Sequence, residues 1–120
     1  MRDFLKHMIA IPSFHGPYCG MTSGSNTMIQ DTCWIYNVLL HELSHSMDWN
    51  ALKHEVGPDG SFSSGQKWQS EYSKDQRTIS QYGLTSWRED FADSGVVAFY
   101  DLIVPKGVPA IQANWSQVGY

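Results

Sequence analysis

The stretch "NVLLHELSHSMDWNAL", residues 37–52, decides how this chain is read. Three titratable residues, His41, Glu42 and His45, interrupt an apolar run. Burying such groups without partners is costly. A shared ligand would offset the cost. Trp34, Val38, Leu39, Met47 and Leu52 recur at helical spacing, so a helix is predicted from about Thr32 to Leu52, with Asp31 or Thr32 as N-cap. On that helix the two imidazoles lie four residues apart, on one face. Two imidazole nitrogens at that spacing can share a tetrahedral Zn2+ at about 2.0–2.1 Å each. Glu42 points about 100° round the helix, off the ligand pair but near enough to reach a metal-bound water. H-E-x-x-H thus offers two ligands and a base.

A third ligand has to come from elsewhere. The metzincin extension requires Gly and His where Asp48 and Ala51 stand. The Asp motif of deuterolysins is absent. A Glu on a later helix, followed four residues on by an acid, is present as Glu89 and Asp93 in "REDFADS". One turn apart, one can bind metal while the other accepts the N–H of a ligating His and fixes its tautomer.

Outward from this centre, "WREDFADSGVVAFYDLI", residues 87–103, reads as a second strong helix ended by Pro105 and Pro109. "QKWQSEYSKDQ" reads as a surface helix, and "KHEVGPDGSFSSG" as a turn-rich loop. "RTISQYGLTS" reads as extended, with Gly83 in a tight turn, and "TMIQDT" as a short strand. Residues 1–12 read as a short helix or an extended lead-in, and the tail "AIQANWSQVGY" as a last short helix. Trp34, Trp49, Trp68 and Trp87 read as packing residues; His7, His15 and His54 read as surface or loop histidines.

With 120 residues the chain is one domain, 1–120, with one modest core. Hydrophobic residues at 42% make it globular rather than disordered. Net charge is -4 with no basic stripe, which argues against nucleic acid. No apolar run is long enough to span a bilayer. No signal peptide is visible in "MRDFLKHMIAIPSF". Cys19 and Cys33 form no metal-binding cluster. They are either two buried thiols or one disulfide, and a disulfide would fit a secreted protein.

Taken together, "HELSHSMD" and "SQYGLTSWREDFADS" resemble the zinc peptidase domain of anthrax lethal factor and its relatives, the bacterial Pro-Pro endopeptidases included. The matching positions are His41, Glu42, His45, Asp48, Tyr82, Gly83, Glu89, Phe91, Ala92 and Asp93, with Tyr82 and Glu89 seven residues apart. Family members often carry Asn where Ser86 stands and usually Glu where Asp93 stands. The first 35 or so residues match nothing in that family; their Gly/Cys/Trp-rich style is similar to secreted fungal proteins. The resemblance implies an α+β zincin-like fold, mainly helical, with a small sheet flanking an active-site cleft. It implies Zn2+ held by His41, His45 and Glu89, with Asp93 and Asp48 as supporting carboxylates. It implies a secreted endopeptidase acting on peptide or protein substrates, with Glu42 as general base and Tyr82 as oxyanion donor. The alternative is a secreted zinc-binding protein of zincin fold with little or no hydrolysis.

Overall fold

Burial alternates along Asn26–Gln30, with Thr27 and Ile29 fully buried and their neighbours less so. That period of two is the mark of a strand with one face on a core. The computed structural model describes residues 5–12, 16–75 and 78–110. This segment, β3 (Asn26–Gln30), is the central strand of a three-stranded sheet. On one side it pairs in parallel with β1 (His7–Ile11), and on the other antiparallel with β2 (Gly20–Ser23). The β2–β3 hairpin turns through Gly24, whose φ of 58° lies in the left-handed region that glycine adopts freely. The lead-in is therefore extended, held by a parallel partner about nineteen residues on.

Three helices follow: α1 (Tyr36–Asn50), α2 (Gln66–Lys74) and α3 (Trp87–Ile103). The segments predicted as surface helix and second strong helix are α2 and α3. α1 starts later than its apolar spacing predicts. Asp31–Cys33 forms a 3-10 turn, and Ile35, extended at φ -118°, is the N-cap, without a side-chain cap. Neither Asp31 nor Thr32 caps it. The cause is covalent: Cys33 is disulfide-bonded to Cys19 at the mouth of β2, which ties this turn to the sheet. The predicted extended stretch before α3 is instead a set of bends closing in a short 3-10 turn, Gly83–Thr85. The predicted tail helix falls in 111–120, outside the described residues apart from a 3-10 turn at Val108–Ala110. Among the described residues, no helix is long and apolar enough to cross a membrane.

α1 packs against the sheet on one side and α3 on the other. Ser46 on α1 donates to the carbonyl of Gly24 (3.1 Å), and Thr22 on β2 donates to the Glu42 carbonyl (3.0 Å). The α1–α3 crossing is close. A Cβ built on Gly95 would lie 2.7 Å from the Ser44 Cβ, well inside van der Waals contact. α2 docks on α3 through aromatic contacts, with Trp68 against Phe91 at 5.0 Å between ring centroids and Phe62 against both. Trp68 also donates from its indole N–H to the Trp87 carbonyl (3.1 Å). Trp68 thus packs as expected, and Trp49 lies under the Arg88 guanidinium. Trp34 and Trp87 are exposed instead.

The loop between α1 and α2 is organised by two carboxylates. Asp48 is wholly buried and accepts from the Ser63 N–H (2.7 Å) and hydroxyl (2.6 Å). Asp59 accepts from the Ser61 N–H (2.9 Å) and hydroxyl (2.6 Å), from the Ser64 hydroxyl, and from Arg88. Partial burial alone would raise the Asp59 pKa. The Ser61 and Ser64 donors and Arg88 overcome that and hold it well below the usual carboxylate range.

Candidate metal centre

His41 and His45 project from the same face of α1 with ring centroids 4.8 Å apart. α3 crosses that face and presents Glu89 in its first turn. One Glu89 oxygen, Oε2, lies 3.0 Å from His41 Nε2 and 3.4 Å from His45 Nε2. One ligand atom from each of the three residues falls within 4.8 Å of the others. These separations suit a tetrahedral ion, for which bonds of about 2.0–2.1 Å set ligand atoms roughly 3.3 Å apart.

His41 and the turn that bears Glu89 are held from behind. Asp93, one turn along α3, lies with Oδ1 2.9 Å from His41 Nδ1. Both His41 nitrogens thus face carboxylates, so the metal-free ring carries a proton on each; an ion on Nε2 would displace the proton there and leave Nδ1–H on Asp93. Asp93 in turn accepts from the Ser80 hydroxyl. Ser80 Oγ accepts from the backbone N–H groups of Tyr82 (3.0 Å) and Gly83 (3.1 Å), which anchors that turn to α3. Gly83 is buried there. A Cβ on it would meet Thr78 Cβ at 3.2 Å and Asp90 Cα at 3.3 Å, so a side chain there would press on both neighbours. Ser86 caps α3 by accepting from the Glu89 N–H (3.3 Å), which fixes the start of the turn carrying the ligand.

The charges are strongly coupled. Burial alone would lower the His41 pKa, but hydrogen bonds to Asp93 and then Glu89 outweigh it and raise it to about 9. Burial alone would raise that of Glu89, but the His41 and His45 contacts win and bring it down to about 2. Glu89 is therefore ionised at neutral pH, as a ligand must be.

A cleft of about 520 Å³ opens over the cluster, lined by His41, His45, Glu89, Glu42, Tyr82 and Tyr18 among others. Glu42 is buried and accepts from the Thr22 hydroxyl (2.6 Å). The β2 backbone approaches it so closely that a Cβ on Gly20 would sit 2.6 Å from the Glu42 Cγ. Tyr82 is 52% exposed, with its ring 5.9 Å from that of His41. Burial, then the negative charges of Glu89 and Glu42, push its pKa up, so the phenol keeps its proton.

Of the residues singled out in the sequence, His41, His45, Glu89, Asp93, Glu42 and Tyr82 meet at this cleft. Asp48 does not support a ligand: it serves Ser63 and the loop, because its place on α1 turns it toward that loop. His7 lies against Asn26 on the exposed side of β1 (2.7 Å), and His54 is exposed. His15 is outside the described residues. Thr22, Ser80 and Ser86 were missed. Ser86 was legible as the first member of an S-x-x-E capping pattern. Thr22 and Ser80 act across chain separations that leave no local mark.

Among the described residues, three helices and a three-stranded mixed sheet frame a His-His-Glu cluster between the first and third helices. The family model described as conidiation-specific protein Con-13 matches residues 4–113, and the chain belongs to that family. Conidiation-specific protein 13 of Neurospora crassa is 34% identical over 98 residues, covering 78% of this chain and 28% of that relative. The chain thus spans less than a third of the relative's length. No solved structure matches the chain.

Family membership overturns the expectation of a zincin metallopeptidase of the lethal factor and Pro-Pro endopeptidase type. The zincin fold, the peptide hydrolysis and the hydrolase and protease description go with it, and so does the alternative of a binder on a zincin frame. The chain belongs to the Con-13 family, its described residues form three helices and a small sheet, and its relative is named as a conidiation-specific protein. The physical reason is that ten positions between 41 and 93 describe a local crossing of two helices. Such constellations recur on unrelated frames, so they do not carry a fold or a reaction with them.

Proposed function

We propose that this Con-13 domain binds one divalent transition-metal ion, Zn2+, through His41 Nε2, His45 Nε2 and the Glu89 carboxylate. The observation that carries the reading is the convergence of both Nε2 atoms on one Glu89 oxygen, at 3.0 and 3.4 Å. An acid paired with a single imidazole is common; two imidazoles aimed at one carboxylate oxygen, with the outer nitrogen of one held by Asp93, is what an imidazole-carboxylate metal site requires. Two nitrogens and an oxygen suit zinc among the divalent ions, with the cleft side open for water or another donor. The Cys19–Cys33 disulfide supports an oxidising, extracellular setting for the domain.

The test is an equilibrium titration of chelator-treated protein with Zn2+. The reading expects one ion per chain and a rise in melting temperature. At free zinc about 100 times the dissociation constant, the gain is about 2.7 kcal/mol. A flat titration, with melting unchanged by zinc or chelator, contradicts it.

A further inference from the structure

The entry to α1 and the last turns of α3 carry an apolar surface that the described residues leave uncovered. Leu102 is 84% exposed and Tyr36 is 77% exposed; Trp34, Ile35, Phe99 and Ile103 are exposed as well. On α3, residues 99, 102 and 103 fall within about 100° of arc, so they form one stripe. Trp34, Phe99 and Ile103 join Met8, Leu39 and Leu43 in lining a groove of about 450 Å³. No charged side chain lines it, and it shares no lining residue with the metal cleft. The Tyr100 hydroxyl donates to Asn37 Oδ1 (2.9 Å), which fixes α1 and α3 relative to each other at the groove. Isolated exposed apolar residues are ordinary; a contiguous groove with apolar residues rising at its edge marks an interaction surface.

We infer that a second copy of this chain covers this face, forming a two-fold dimer through α1 and α3. The area is sufficient. From their exposures, the six uncovered residues present roughly 700 Å² per chain, close to the ~800 Å² per partner of an ordinary stable interface. A two-fold interface must meet itself, so one patch has to hold both a hollow and what fills it. Here Tyr36 lines the groove together with Leu39 and Leu43 yet is largely exposed, and Leu102 stands out on α3 next to the groove-lining Ile103. The chemistry also fits, since nothing in the groove would recognise a charged or polar partner.

Sedimentation equilibrium on the intact chain at up to about 100 μM tests this. Wild-type protein is expected at dimer mass. Leu102→Glu is expected to raise the dissociation constant by ~100-fold or more, because each dimer receives the charge twice and buries it. Leu102 touches so little of its own chain that the variant keeps wild-type circular dichroism and melting as a monomer. A monomer at all concentrations overturns the inference and assigns the face to some other partner. Open-ended association beyond the dimer also overturns it, as does a dimer indifferent to Leu102→Glu.

Discussion

His45→Ala is expected to lower Zn2+ affinity by about 100- to 1000-fold while leaving the fold intact. Zinc bound by a small protein site releases about 10–16 kcal/mol, or roughly 3 kcal/mol for each of four ligands. Each 1.4 kcal/mol is tenfold in affinity. His45 is the ligand whose removal is cleanest to interpret. Its polar partner within the cluster is Glu89, at 3.4 Å, whereas His41 also holds Asp93. Asp93→Asn is the graded companion. It leaves all three ligands and removes the carboxylate behind His41, so a loss of about 10- to 100-fold is expected. Titration calorimetry of the three proteins reads both effects. If His45→Ala binds zinc as tightly as wild type, the ion sits elsewhere.

Gly95→Val is expected to cost about 3 kcal/mol of stability and to weaken zinc binding as well. In most helices a glycine is a weakness, and replacing it by alanine gains up to ~1 kcal/mol. Here a side chain has nowhere to go: its Cβ would lie 2.7 Å from that of Ser44. Overpacking a close helix contact typically costs 1–3 kcal/mol, and the branched Val adds its own crowding, ~1 kcal/mol at most. Ser44 lies one residue before His45, and Gly95 two residues after Asp93. Forcing α3 away from α1 at this point therefore parts Glu89 from the imidazoles. Denaturant unfolding of Gly95→Val, Ser44→Gly and the double variant separates the cause, because the close-contact account expects the double variant to recover part of the loss. Additive losses would place the damage somewhere other than this crossing.

The site was more legible in the sequence than the frame around it. The His41–His45 pair is a local spacing, and Glu89 with Asp93 is another, so both could be read one helix at a time. α3 is legible with the bounds Trp87–Ile103 because an apolar period and two following prolines coincide there. Elements fixed by distant partners were legible only in part: "TMIQDT" reads as a strand and overlaps β3, while residues 1–12 read equally as helix or extended. The first strand is extended because it pairs with β3, which nothing within residues 7–11 announces. The start of α1 is displaced by a disulfide whose other end is fourteen residues away. Asp48 enters the metal centre only through the family resemblance, as a supporting carboxylate beside Asp93. Its burial against Ser63 depends on a loop whose path is set by serine hydroxyls and by Asp59. The same limit explains the mistaken family. Local motifs report which side chains meet, while family membership rests on the whole stretch 4–113, of which those motifs are a small share.

Zinc K-edge X-ray absorption on the zinc-loaded chain tests the central claim most directly, since it reports ligand type, number and distance without reference to any activity. The expected spectrum shows one ion with two imidazole nitrogens at about 2.0–2.1 Å and the remaining first-neighbour atoms oxygen, with one imidazole lost in His45→Ala. An ion surrounded by oxygen alone, or a spectrum that His45→Ala does not change, would contradict the placement of metal between α1 and α3.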